Sequence, residues 1–217
     1  MKYDFDSYIE RKNTASFKWD KNKEFFNKED IIPMWVADMD FQCAKPIVDN
    51  LRKRIEHPIF GYSIRTQEYF DAIINWMDKK HGYKVHQDSL TFAPPGVIYA
   101  IYIMVEILTE KGDGIIMQDP NYDALFNIVI DTERKLIINT LKFEDNKYII
   151  DFNDLEEKIK SGAKVLILTN PNNPTGKVYK EWELRKIGEL CKKNGVFIIV
   201  DEIYSDFIFK GNKHIPF

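Results

Sequence analysis

The chain has few cysteines and no strong charge of either sign. Its 217 residues include two cysteines, Cys43 and Cys191, which lie far apart and lack metal-ligand spacing. We therefore expect neither a disulfide framework nor a cysteine-based metal site. The net charge is only -3 and the basic residues are scattered, which argues against nucleic-acid or membrane partners. The four histidines (His57, His81, His86, His214) show no pairing with Asp or Cys at ligand spacing, so we predict exposed or capping roles for them and no metal.

Long hydrophobic runs and a secretion signal are also missing. The apolar stretch Val97–Leu108 is too short to span a bilayer. The first residues, Met-Lys-Tyr-Asp-Phe-Asp, lack the hydrophobic region of a signal peptide, and we expect a cytoplasmic location. Hydrophobic residues make up 44% of the chain and charged residues 30%. This composition is sufficient for the packed core of one α/β domain.

The order of apolar segments predicts an α/β fold. Residues 165–169 and 196–200 are apolar runs without alternation, typical of strands buried on both faces. Residues 180–194 between them have helical spacing and end at Asn-Gly, and such a strand–helix–strand unit places the two strands parallel. Further helices are predicted at 45–56, 67–81, 97–108 (as a buried helix), 122–130 and 151–160, and further strands at 88–92, 114–118 and 134–141. We expect a mainly parallel sheet with helices on both faces, preceded by an irregular amino-terminal arm over residues 1–45.

Polar loops follow the predicted strands. Asn-Pro-Asn-Asn-Pro-Thr-Gly occupies 170–176, and the next strand ends in Asp201-Glu-Ile-Tyr204. The carboxyl ends of parallel strands share one edge of the sheet, where open α/β sheets bind ligands. Ala-Pro-Pro-Gly at 93–96 precedes a helix, and the free N–H groups of a helix start can bind phosphate. Alone, either the Asn/Pro stretch or the Pro-Gly turn is typical of an ordinary turn or cap.

Together, the 170–176 loop and the Asp201 segment resemble those of the fold-type I pyridoxal phosphate (PLP) enzymes, the class I/II aminotransferase superfamily. The resemblance implies that Asp201 pairs with the protonated pyridine nitrogen, and that Asn173 and Tyr204 hydrogen-bond the 3-oxygen of PLP. Tyr204 is also the one residue assigned here to the catalytic set. A carboxylate beside the ring nitrogen favours the charged form that PLP needs as an electron sink. The resemblance further implies that Tyr122 stacks on the ring and that the phosphate is bound by the backbone of Gly96, Val97 and Ile98.

The amino-terminal third indicates a branch of this superfamily. Residues 32–41, Ile-Pro-Met-Trp-Val-Ala-Asp-Met-Asp-Phe, resemble the substrate-side segment of the cystathionine β-lyase and cysteine-S-conjugate β-lyase branch. This implies that Trp35 and Ala37 line the substrate pocket, although a Trp in an apolar run is as often a core residue. Phe-Gly-Tyr at 60–62 resembles the segment whose tyrosine, here Tyr62, contacts the cofactor phosphate of the neighbouring subunit. A homodimer is therefore expected.

The resemblance also implies groups that this sequence does not contain. Similar proteins bind PLP through a Schiff-base lysine some tens of residues beyond the Asp201 strand. Lys210 and Lys213 are the only lysines after Asp201, and both lie in a stretch typical of an exposed turn. We expect a truncated, incomplete PLP-binding large domain over residues 46–217, with the arm of residues 1–45 as part of the small domain.

The expected function of the complete protein is PLP-dependent carbon–sulfur β-lysis. A cysteine S-conjugate such as cystathionine would yield a thiol, pyruvate and ammonia, while this chain alone would be inactive. An aminotransferase that uses the same site is the alternative, and a lysine-less scaffold or partner subunit is an alternative of another class. A dinucleotide-binding domain is disfavoured because no G-x-G-x-x-G follows the first strand. The sequence leaves open the exact substrate, and whether the truncation is natural.

Overall fold

The first part of the chain contains three helices. The computed structural model describes residues 3–217, which divide into two compact units, Met1–Ile64 and Arg65–Phe217. In the first unit the helices are α1 (Phe17–Asp20), α2 (Asn22–Phe26) and α3 (Lys45–Glu56). The prediction for α3 is confirmed, and none of its residues is buried. The arm predicted as irregular contains the two short helices, of which α1 starts at the Ser16 side chain accepting the backbone N–H of Trp19. The assignment of residues 46–64 to a large domain stays a prediction.

The second unit alternates helices and strands. Its helices are α4 (Gln67–Trp76), α5 (Val97–Leu108), α6 (Asp123–Asp131), α7 (Phe152–Lys160) and α8 (Glu181–Asn194). Its strands are β1 (Gly114–Asp119), β2 (Lys135–Thr140), β3 (Lys142–Glu144), β4 (Lys147–Ile149), β5 (Ala163–Thr169) and β6 (Phe197–Asp201). A π-helical turn, Met77–His81, continues α4. The strand predicted at 88–92 is wrong, since a 3-10 turn occupies Gln87–Ser89. There both the amide and the hydroxyl of Ser89 donate to the carbonyl of His86, which closes a local turn.

Four strands form a parallel sheet in the order β2-β1-β5-β6. The predicted parallel pairing of the last two strands is confirmed, with Thr169 at the end of β5 opposite Asp201 at the end of β6. Strands β3 and β4 form a separate antiparallel hairpin that the sequence interpretation missed. Its turn residues Asp145 and Asn146 both have positive φ, 48° and 57°, as the tightest hairpin turns require.

Helices cover both faces of the parallel sheet, which confirms the predicted fold class. Alternate strand residues point to opposite sides, so Ile116 packs with α7 and α8 while Ile115 packs with α5 and α6. Each fully buried Ile or Leu contributes roughly 1.5–3 kcal/mol. Helix α5 was expected to be buried as a whole, but only Ile101 and Val105 are buried. The helix lies against one face of the sheet, and its opposite side, including Ile107, is exposed.

Several single side chains have well-defined surroundings in this fold. Cys191 is buried on α8, and Asp151 caps α7 by accepting two backbone N–H groups. The expectation for His214 is wrong, because the side chain is buried rather than exposed. Within residues 3–217, no helix is long and apolar enough to cross a membrane. The same residues contain no cluster of three or more His, Cys, Asp or Glu side chains able to hold a metal ion.

Candidate cofactor site

A buried carboxylate ends strand β6. Asp201 is only 6% exposed, and its Oδ1 accepts the backbone N–H of Ile203 at 3.0 Å. Burial raises the pKa of Asp201, the Ile203 N–H opposes this in part, and the charge of Glu202 adds to the rise. Among the described residues no Lys, Arg or His lies within ion-pair distance of this carboxylate. A buried carboxylate without a cation is poised to bind a positively charged group.

The loop at 170–176 is fixed to the ends of β6 and β1. The Asn170 amide donates to the carbonyl of Asp201 at 2.9 Å. Asn172 is buried, accepts the hydroxyl of Thr175 at 2.6 Å, and donates to the carbonyl of Pro120 at 3.4 Å. These bonds occupy Asn170 and Asn172 inside the protein. Asn173 stays partly exposed at the loop surface.

A second loop, after β1, joins the same edge. The Asn121 Oδ1 atom accepts the hydroxyl of Thr169 at 3.0 Å and the backbone N–H of Tyr122 at 2.8 Å. Since Thr169 lies opposite Asp201 in the sheet, this contact connects the loop after β1 to the region of Asp201. Tyr122 precedes the first residue of α6 and is 46% exposed.

The predicted phosphate-binding segment starts helix α5. Gly96 is the N-cap of this helix, and Val97 and Ile98 form its first turn, each 37% exposed. The first N–H groups of a helix have no partner within the helix and carry the positive end of its dipole. Helix α5 packs against β5 and β6. Because its first N–H groups are free, the first turn of α5 can donate hydrogen bonds to an anion.

A cavity of about 270 Å³ lies beside the loop, and Asn173 and Tyr204 both contribute to its wall. Gly96, Tyr122 and Asp201 are not among its lining residues. The structure thus brings Asn173 and Tyr204 to one cavity. It places Tyr122 at the N-cap of α6, in the loop after β1, and Asp201 at the end of β6.

Three predicted site residues, Trp35, Ala37 and Tyr62, lie in the first unit. Trp35 packs among three phenylalanine rings, with centroid distances of 4.8–5.7 Å, and its indole N–H donates to Asn22 at 3.3 Å. This environment favours a packing role for Trp35. Ala37 is exposed, and Tyr62 is fully exposed. Their contacts with substrate and cofactor stay predictions.

Supporting residues around the site were missed in the sequence. Asp206, two residues beyond Tyr204, accepts the indole N–H of Trp76 and pairs with Nε2 of His81, both at 2.9 Å. A largely buried ion pair, Lys177 with Glu183 at 2.7 Å, joins the end of the 170–176 loop to α8. Sequence spacing gives no signal for the Asp206 contacts, which link residues more than a hundred positions apart. The second pair could have been anticipated, because Glu183 also accepts the backbone N–H of Lys180 as in a capping box.

The residues present fit PLP. The carboxylate of Asp201, which has no cationic partner among residues 3–217, suits a pyridinium nitrogen. The first turn of α5 suits a phosphate, and Asn173 with Tyr204 can donate to a phenolate-type oxygen. Fold and site together define a parallel α/β domain that carries its polar loops at the carboxyl edge of the sheet. Residues 31–216 match the family described as aminotransferase class I and II. The chain belongs to this family.

Similar proteins agree with this assignment. The chain is 44% identical to cystathionine beta-lyase PatB of Bacillus subtilis (strain 168), over 98% of this chain and 55% of that protein. Among solved structures, cystalysin from Treponema denticola, which contains PLP, has a TM-score of 0.93 and 33% identity. The PLP-bound C-S lyase from Staphylococcus hominis has a TM-score of 0.92 and 31% identity. Both likenesses cover 100% of this chain and 55% of the solved chain. The chain spans about half the length of the curated relatives it matches.

Proposed function

We propose that this chain binds PLP as part of a carbon–sulfur β-lyase. The substrate would be cystathionine or a related cysteine S-conjugate, with a thiol, pyruvate and ammonia as products. Similarity to PatB and to the C-S lyase of Staphylococcus hominis supports this reaction over transamination. The observation that carries the proposal is the buried Asp201 carboxylate, which ends β6 without a cationic partner in the described part of the chain.

Each residue of the proposed site has a distinct task. PLP, when bound, supplies an electron sink for the negative charge that develops at the substrate Cα. The Asp201 carboxylate would hold the proton on the ring nitrogen, since a nearby anion stabilises that cation. Asn173 and Tyr204 would donate hydrogen bonds to the 3-oxygen, and Tyr122 would pack on the ring. The backbone N–H groups at Gly96, Val97 and Ile98 would bind the phosphate.

The remaining roles depend on parts of the protein that the second unit does not supply. We propose that Trp35 and Ala37 face the substrate and that Tyr62 reaches the phosphate bound by a neighbouring subunit, in a homodimer located in the cytoplasm. The base that removes the Cα proton and the group that binds the substrate carboxylate are proposed to lie outside residues 1–217. Lys210 and Lys213 are both exposed, in keeping with their rejection as that base.

Binding can be tested without covalent chemistry. The probe is 4-deoxypyridoxine 5′-phosphate, which lacks the aldehyde of PLP and so cannot react with surface lysines. We expect this probe to bind the 217-residue chain in equilibrium dialysis, and 4-deoxypyridoxine without phosphate to bind at least tenfold more weakly, because the latter loses charge-assisted hydrogen bonds at α5. Equal and weak retention of both compounds would contradict a PLP site here. In the full-length protein, pyruvate release from cystathionine, measured against keto-acid exchange, separates lyase from aminotransferase.

A further inference from the structure

Asn121 carries a buried hydrogen-bond donor that has no partner in the part of the chain that the structure describes. The side chain is 6% exposed, and Nδ2 makes no hydrogen bond to any described residue. The orientation of the amide is settled by chemistry. The backbone N–H of Tyr122, 2.8 Å away, can only donate, so the atom that faces it must be Oδ1. The unpaired atom is therefore the amide nitrogen.

An unpaired buried donor of this kind calls for an acceptor. Buried polar side chains in proteins nearly always form hydrogen bonds with protein groups, ordered water or a ligand. A buried donor that forms no hydrogen bond lowers the stability of the fold. Asn121 lies in the loop after β1, and its Oδ1 atom already accepts hydrogen bonds from Thr169 and Tyr122. The fold thus fixes one end of this amide and leaves the other end available.

The sheet register places Asn121 on the same side of the sheet as Asp201. Thr169 and Asp201 are paired in register on adjacent parallel strands, so their side chains project from the same face of the sheet, about 4.8 Å apart at the backbone. Asn121 is bonded to the Thr169 hydroxyl, which brings its amide to the same face. The Asp201 carboxylate accepts one backbone N–H, that of Ile203, through Oδ1. A carboxylate has several acceptor positions, so Asp201 can take a further donor.

We infer that Asn121 is a positioning residue for Asp201, joined to it by an ordered water that accepts from Nδ2 of Asn121 and donates to the carboxylate. Such a water has the two polar partners that a buried water needs. The bridge would orient the carboxylate and stabilise its charge, and so assist its proposed partnership with the ring nitrogen. In this last respect the inference rests on the proposed function.

The test follows the Asp201 carboxyl itself, without cofactor. The carboxyl is titrated by NMR in the 217-residue chain carrying ¹³C-labelled aspartate, and the Asp201→Asn variant assigns its signal. Asn121→Asp keeps the shape and the acceptor but replaces the donor by an oxygen, so the Asp201 midpoint should move to higher pH. Asn121→Ala should move it in the same direction, since the donor is lost without an added charge. The Asn121→Ala shift follows from loss of a hydrogen bond that stabilises the ionised form, and in Asn121→Asp the repulsion of a second carboxylate adds to that loss.

A matched pair of threonine variants serves as control. Thr169→Val removes the hydroxyl that holds Asn121 and should shift the midpoint upward by a smaller amount. Thr132→Val makes the same change at a buried hydroxyl that bonds Ile128 within α6, and should leave the Asp201 midpoint unchanged. If any variant fails to fold, the remaining ones still decide the matter.

The inference and the proposed function fail separately. An Asp201 midpoint that is the same in wild type, Asn121→Ala and Thr169→Val would overturn the role of Asn121, whatever the protein binds. If the wild type does not bind 4-deoxypyridoxine 5′-phosphate, the proposed function fails, while the titration still judges Asn121. If both hold, Asn121→Ala should weaken binding of that probe about tenfold, the loss expected for one charge-assisted contact. In the Asn121→Ala variant, the absorption of the bound probe should also show that its ring nitrogen loses its proton at a lower pH than in the wild type.

Discussion

Replacing Asp201 by asparagine should change stability and cofactor binding in opposite directions. The substitution keeps the shape of the side chain and the oxygen that accepts the Ile203 N–H, but removes a charge that is 6% exposed and has no cationic partner among the described residues. Without cofactor, that charge is an unfavourable group inside the protein. With cofactor, it is the proposed partner of the ring nitrogen. If Asp201 served only in packing, its replacement would not raise stability while weakening cofactor binding.

The size of the stability gain follows from the burial of the carboxylate. A buried charged group whose hydrogen bonds are incomplete costs on the order of 1–3 kcal/mol of stability. Removing the charge recovers this energy, but burial of the new asparagine NH₂ group offsets part of the gain. A net gain of about 1 kcal/mol in the free energy of unfolding should raise Tm by about 2–4 °C for a chain of this size. Because burial raises the pKa of Asp201, the cost is present above that pKa and disappears as the pH falls and the carboxyl takes up a proton. The Tm difference should therefore be largest at pH 8 and shrink toward acidic pH.

The assay is thermal unfolding of the 217-residue chain, followed by circular dichroism between pH 5 and pH 8. Asp119→Asn is the matched control, because Asp119 also ends a strand of the sheet but is exposed, and its replacement should leave Tm within about 1 °C. With saturating 4-deoxypyridoxine 5′-phosphate, the wild type should gain stability through binding and Asp201→Asn should gain much less. A variant that is less stable than wild type at pH 8 without ligand, or that binds the probe as tightly, would refute the role assigned to Asp201.

Three further outcomes are expected. The 217-residue chain should release no pyruvate from cystathionine, since Lys210 and Lys213 are exposed and a positioned base contributes about 10²–10⁴-fold; ordinary turnover would show that their rejection is wrong. The full-length protein should sediment as a homodimer, and Tyr62→Ala should weaken retention of PLP without dissociating the dimer. A fully active monomer would rule out the shared site. The hydrogen bond from Lys18 lowers the pKa of Asp40 to about 2, so Asp40 should stabilise the first unit above its unfolded-state pKa. Asp40→Asn should cost about 1 kcal/mol at pH 7 after allowance for its partial exposure, and this difference, measured by tryptophan fluorescence during urea unfolding, should vanish as the pH falls toward 2.

The fold could be predicted largely because its strands are unambiguous. Apolar, β-branched runs such as 165–169 leave little alternative to a buried strand, and the Pro-Pro-Gly break fixes the start of α5 at Val97. The strand proposed at 88–92 failed because local hydrogen bonds of Ser89 competed with sheet pairing. The β3–β4 hairpin was missed although Asp145 and Asn146 are residues that tolerate positive φ. The Asp-Asn pair at 145–146 is therefore a sequence signal for this hairpin.

The candidate site was less accessible to sequence reasoning. Motif spacing could place Asn173, Asp201 and Tyr204 on one edge, because parallel strands impose that geometry. It could not show that Asp201 has no cationic partner among residues 3–217, since such partners come from distant elements. Nor could it distinguish Asn121 from an ordinary turn asparagine. That difference depends on the Thr169 hydroxyl, which lies 48 positions away in the chain.

The Asp206 contacts also bear on the order in which the protein folds. Asp206 bonds to Trp76 and His81 across sequence separations of 130 and 125 residues, whereas β5, α8 and β6 are consecutive along the chain. Contacts that close such long loops bring their energy only after most of the chain is in place. We therefore expect the strands to assemble first and the segment that carries Tyr204 to reach its final position late. The edge of the sheet would then form before the candidate site is complete. A ligand that binds Tyr204 would therefore stabilise mainly the product of the last folding step.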